Sequence, residues 1–156
     1  MAGIITIAEQ VRLHWQGQGL QVNAVSLQEL TELKHSQVSA LPEDYETFLR
    51  VAGLPEDEDS AGFRFWSPKE LRATDDVLSA AGYRSSLVHP SLIIADHLQE
   101  SWWYCLWSGG PWRGCVSLVL GTYGEQDPLP PLGNLADFLL AYLTDDACLY
   151  PPRSPE

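Results

Sequence analysis

The chain has 156 residues, 45% hydrophobic and 19% charged, a balance that excludes a disordered protein and fits one globular domain with its own core. Its formal charge of -12, from 21 acids against 9 bases, disfavours direct binding to nucleic acid or an anionic membrane; it favours a basic partner, or solubility alone. No apolar run is long enough to span a bilayer, and the N-terminus lacks the basic region of a signal peptide, so a cytoplasmic home is expected.

Ile4, Ile7, Val11 and Trp15 recur at helical spacing until "GQG" at 17–19 breaks the pattern, which predicts a helical extension over residues 1–20. A domain over 21–150 and a disordered tail over 151–156 ("PPRSPE") complete the expected organisation. Ser26 and Glu29 form an S-x-x-E capping box ahead of the stripe Leu27, Leu30, Leu33. In "LPEDYETFLRVAGLP", Pro42 suits the first helical position, Glu43 and Asp44 the positive end of the dipole, and Gly53 the exit. Tyr45, Phe48, Leu49 and Ala52 share one face there and read as core. "PEDEDSAG" at 55–62 is an acidic loop, and "FRFW" at 63–66 a short strand. "SPKE" at 67–70 repeats the capping logic and predicts a short helix, with another over 75–81.

From Leu92 the pattern turns to strands: "LIIA", "WWYCLW" and "CVSLVLG", the last two joined by the turn-rich "SGGPWRG" as a hairpin. "NLADFLLAYL" closes the chain as a helix capped by Asn134, with Leu135, Phe138, Leu139 and Tyr142 buried. Strands in a run, joined by hairpins, predict an antiparallel sheet flanked by helices, an α+β class. If Trp107 faces Gly114, Trp103, Cys105 and Trp107 share an apolar core face with Val116 and Leu118. Trp102, Tyr104 and Leu106 then share a mixed face with Cys115, Ser117 and Val119, either covered by a helix or forming the rim of a binding surface.

Catalytic motifs are hard to find. There is no G-x-S-x-G elbow, no phosphate loop and no H-x-x-x-H pair, and the three cysteines lack C-x-x-C spacing, so no metal or cofactor is expected. "ADH" at 95–97 sets Asp96 beside His97 at a strand end, the one pair that an enzyme would use. Cys105 and Cys115 read as small buried hydrophobes.

With these segments placed, the chain resembles the SUKH superfamily, the Smi/Knr-like group that includes many bacterial toxin-immunity proteins. "LPEDYETFLRVAGL" resembles that family's Leu-Pro helix, "FRFWSPKEL" its strand followed by a Ser-Pro helix start, and "LIIADHLQESWWYCLW" its central strand pair. "GCVSLVLG" and "LADFLLAYL" resemble the next strand and the closing helix; the likeness runs over about residues 26–143. One departure is "AGL", where many relatives have an Asn-Gly-Gly type turn.

The resemblance implies a non-enzymatic protein that binds and blocks a cognate toxin domain, often a nuclease or other nucleic-acid-modifying toxin. It carries over no catalytic residue. A regulatory interaction scaffold is the alternative, since related fungal domains serve in cell-wall regulation. Candidate partner-binding residues are Glu56, Asp57, Glu58 and Asp59 in the acidic loop, and Trp102, Tyr104 and Trp112 among the aromatics. Glu43, Asp44 and Glu46 extend the acidic run, and the whole is expected to steer a basic partner. The oligomeric state is left open.

Overall fold

The computed structural model describes residues 3–36, 41–83, 87–121 and 128–151. In chain order the elements are α1 (Ile4–Gly17), β1 (Val22–Asn23), α2 (Leu27–Ser36), α3 (Glu43–Ala52), β2 (Leu54–Pro55), β3 (Phe63–Phe65), β4 (Arg72–Ala73) and α4 (Thr74–Ala80). The longer strands β5 (Ser91–His97), β6 (Trp102–Trp107) and β7 (Cys115–Val119) follow, then β8 (Gly133–Asn134), α5 (Leu135–Thr144) and a single 3-10 turn at Ala147–Leu149. The fold is α+β. Six strands form an antiparallel sheet in the order β3-β5-β6-β7-β8, with β4 pairing β5 beside β3, and β1 and β2 form a separate ribbon.

Local chemistry explains the helix ends. The Glu29 amide donates to Ser26 Oγ (3.1 Å) while Glu29 accepts from the Ser26 amide (3.4 Å), so the expected capping box forms. Asn134 and Asp137 make the same reciprocal pair at α5, at 2.8 and 3.0 Å. Two expectations are corrected. Pro42 stands at the N-cap of α3 rather than inside it, and "SPKE" makes one turn, not a helix. Glu70 accepts from the Ser67 amide there (3.0 Å), after which the chain enters β4.

The register of β6 on β7 is also corrected. Leu106 lies opposite Val116, Cys105 opposite Ser117, Tyr104 opposite Leu118 and Trp103 opposite Val119. The pairing is one residue from that expected, and one residue exchanges every side chain between faces. Tyr104 and Leu106 therefore look into the aromatic core with Val116 and Leu118. Trp103, Cys105 and Trp107 face the other side with Ser117 and Val119.

Both faces are covered. On the first, Trp15 of α1 packs on Phe65 at 5.1 Å between ring centres, and Phe138 of α5 on Tyr104 at 5.2 Å. Ile7, Ala8, Val11 and Trp15 of α1 are buried in the same core as α3 and α5, so this helix shares the domain's interior. On the second, Ser91 of β5 donates to Thr74 of α4 (2.7 Å), and the Tyr83 ring comes against Gly121 beside Trp103. Within "SWWYCLW", residues Trp103–Trp107 thus form a central strand buried on both sides, with Trp102 half-buried at its start. Residues 152–156, most of the expected tail, lie outside the described residues.

Candidate functional site

Consecutive strand residues point to opposite faces, so β5 sends Asp96 and His97 apart. Asp96, nearly fully buried, is opposite Arg64 in the ladder. Its Oδ2 accepts from Trp66 Nε1 (2.7 Å) and Arg64 Nε (3.1 Å), and Arg64 Nη2 lies at 3.1 Å. Its Oδ1 accepts from the Glu100 amide (3.1 Å). Arg64 lies over the Trp66 ring and also reaches Glu70. Burial pushes the Glu70 carboxyl up, but the Ser67 amide and the Arg64 guanidinium outweigh it and hold that carboxyl below its ordinary value. Asp96 fastens three segments and has no free acceptor directed at solvent.

His97 sits on the opposite face in an aromatic cage. Trp102 stacks on it at 4.4 Å, Phe63 lies at 4.5 Å and Tyr150 meets it edge-on. Its Nε2 is 2.8 Å from the Ala61 carbonyl, which can only accept, so Nε2 carries the proton. Nδ1 is buried without a partner. Asp96 and His97 cannot act as a dyad in this geometry.

Asp59 is corrected in the same way. It was expected at an acidic surface; it is 5% exposed and built into the loop. Oδ1 accepts from the Ala61 and Phe63 amides, both at 2.9 Å, and Oδ2 from the Tyr142 hydroxyl, which itself accepts from Trp15 Nε1 (2.9 Å). Burial, then the Asp59 carboxylate, push the Tyr142 phenol far above its ordinary value. Tyr104 is likewise buried, its hydroxyl donating to the Leu149 carbonyl (2.6 Å). Trp102 is half-buried, its Nε1 bonded to the Tyr104 hydroxyl (2.8 Å). Of the candidate residues, Glu56, Asp57 and Trp112 are exposed, and Glu58, like Trp102, is half-buried.

These five do not converge on one surface. Phe63, His97 and Trp102 are ladder partners, so the 56–62 loop and Trp102 occupy one end of the sheet. Trp112 lies beyond the far end of β6, about 17 Å along the strand, its ring edge on Trp107 at 5.4 Å. The acidic run 43–59 is divided too. α3 puts Glu43 and Asp44 about 15 Å from the loop, and Glu46 is paired with Lys34 (3.1 Å).

The larger concavity, about 870 Å³, combines segments that the sequence analysis left unconnected. α2 contributes Glu29, Glu32 and Leu33, the 68–73 segment Lys69 and Arg72, and α4 its N-terminal acids. Leu92 and Ser108 lie at the bottom, and residues 87–90 form a lip with Val88 90% exposed. The lip meets the 108–114 turn: the Ser108 amide donates to the Pro90 carbonyl (3.0 Å), and Gly110 has no room for a side chain against His89.

Reactive groups are sparse. Cys105 is buried, Cys115 half-buried and Cys148 exposed, none of them in a disulfide; partial burial, then Asp146, push the Cys148 thiol up, away from the thiolate. Among the described residues, no group of three or more His, Cys, Asp and Glu side chains is placed to hold a metal ion, and no helix is long and apolar enough to cross a membrane. Comparison of the chain with protein-family models, curated proteins and solved structures found no match.

Proposed function

We propose that the chain is a cytoplasmic, non-enzymatic immunity protein of the Smi/Knr-like SUKH type, binding and neutralising a cognate toxin domain. One observation carries the reading: the buried carboxylates and imidazole of the described residues, Asp59, Asp96 and His97, all hold backbone and aromatic groups together. The Asp96–His97 pair, the one that an acid–base enzyme was expected to use, is thus committed to the frame, while Glu43, Asp44, Glu56, Asp57 and Glu58 stand outside any ion pair among the described residues. Unpaired surface carboxylates raise the encounter rate with a basic partner, such as a nuclease whose surface attracts phosphate.

The test is co-expression with each toxin domain encoded in the genome that carries this chain. Rescue of growth against one toxin, with a stoichiometric complex on gel filtration, is the expected result. Rescue by none of them overturns the reading. Replacing Glu56, Asp57 and Glu58 with lysine is expected to slow association about tenfold at low salt and to flatten its salt dependence.

A further inference from the structure

The 870 Å³ concavity carries side chains of both charges on its walls. Glu29 and Glu32 line it from α2, Asp75 and Asp76 from α4, and Lys69 and Arg72 from the segment between. Four acids against two bases leave a formal charge of -2. Acids and bases share one cleft, yet no ion pair joins Glu29, Glu32 or Asp76 to Lys69 or Arg72 among the described residues. Asp75 differs, because it accepts from the Leu87 amide at 3.3 Å and so holds the lip.

The lip supplies what charged walls lack. Val88 is 90% exposed and Trp112, on the turn braced against the same lip, 40% exposed. An exposed aliphatic and an exposed indole beside a cleft with a charged rim have the composition of a binding hot spot, where a few apolar anchors carry most of the energy and the rim sets orientation.

We infer that this cleft and its Val88–Trp112 lip form the docking surface for the toxin, and that they receive a segment with an apolar side chain flanked by a basic residue. The base meets Glu32 and Asp76, and the apolar side chain lies on Val88 and Trp112. An acidic residue of the same segment reaches Lys69 and Arg72. The acidic loop at the other end of the molecule then acts at a distance, on encounter, whereas the cleft acts on residence. The inference rests on the immunity reading.

The test uses the full chain and the toxin domain that it neutralises. Val88→Asp, Trp112→Ala and Glu32→Lys alter exposed side chains and are expected to leave the melting temperature near that of the parent. Each is expected to raise the dissociation rate at least tenfold and to weaken rescue. The Glu56, Asp57 and Glu58 replacements serve as a comparison and are expected to change association only. Unchanged dissociation in all three cleft variants, with the parent still protective, overturns the docking surface and leaves the immunity reading standing. A parent chain that protects against no toxin overturns both.

Discussion

Asp96→Ala removes one carboxylate and strands donors on three elements. Trp66 Nε1 is buried and has no other acceptor, and the Glu100 amide loses its partner in a turn whose backbone is already disfavoured. The buried Trp66 donor left without an acceptor costs about 1–3 kcal/mol, and the lost hydrogen bond of the Glu100 amide, on an exposed turn, about 1 kcal/mol, so the two give about 3 kcal/mol. Arg64 adds little, because its side chain is 36% exposed and water replaces the lost charge. For a domain of this size about 3 kcal/mol corresponds to a fall of about 6–12 °C in melting temperature. Urea unfolding followed by tryptophan fluorescence is the assay, with the m-value required to stay constant. Arg64→Met is the contrast and is expected to cost about 1 kcal/mol or less, since Asp96 keeps its Trp66 and Glu100 donors. Equal losses in the two variants, or a loss below about 1 kcal/mol in Asp96→Ala, would refute the view that the carboxylate acts as an acceptor for the Trp66 and Glu100 donors rather than as half of an ion pair.

Tyr142→Phe should cost about 2–3 kcal/mol, because both Trp15 Nε1 and Asp59 Oδ2 lose a buried partner; a thermal melt within 2 °C of the parent contradicts this. Gly53 has φ 69°, and a Cβ there would lie 2.5 Å from the Asn23 carbonyl, whereas Gly19 has φ 80° and open space around it. Gly53→Ala should therefore destabilise by about 3 kcal/mol and Gly19→Ala by about 1 kcal/mol, in the same denaturation experiment. At high pH, Tyr45 and Tyr104 are pushed up mainly by burial, Tyr142 by burial and then Asp59, and Tyr150 to about 12, first by its bond to Asp145 and then by burial. A phenol raised in the folded state adds stability that is complete below the unfolded value of 10 and is lost as pH rises toward the folded value. Absorbance at the phenolate band should show these four tyrosines ionising together with unfolding above pH 10; ionisation of all four at pH 10 in a folded protein contradicts the packing.

What could be read from sequence was whatever is local. Ser26 with Glu29, Asn134 ahead of its apolar stripe, and Tyr45, Phe48, Leu49 and Ala52 on one helix face each declare themselves within four to eight residues. The two-residue strands β1, β2, β4 and β8 are too short to show a period. The β6–β7 register turned on one residue: the Gly114 amide does bond the Trp107 carbonyl, but Cys115, not Gly114, continues the ladder at that level. In "EDED" nothing distinguishes Asp59 from its neighbours; Tyr142, 83 positions on, decides which carboxylate turns inward. The cleft was invisible for the same reason, being assembled from α2, the 68–73 segment, α4 and the 87–90 lip.

The turn between β5 and β6 has a consequence in time. Leu98, Gln99 and Glu100 are consecutive non-glycine residues with φ of 48°, 55° and 63°, while the β6–β7 turn puts Gly110 and Gly114 at its two positive φ values. At about 1 kcal/mol for each left-handed residue, the β5–β6 turn opposes its own hairpin by about 3 kcal/mol until partners from elsewhere arrive. Those partners are distant: the Leu98 amide bonds the Gly62 carbonyl, and Asp96, which receives the Glu100 amide, is set by Trp66 and Arg64. The β6–β7 hairpin is therefore expected to close first, with β5 joining once β3 and its loop are in place to hold the turn. Gln99→Gly, which relieves one strained residue, should speed refolding in a stopped-flow chevron, and an unchanged folding arm would reverse this order of events.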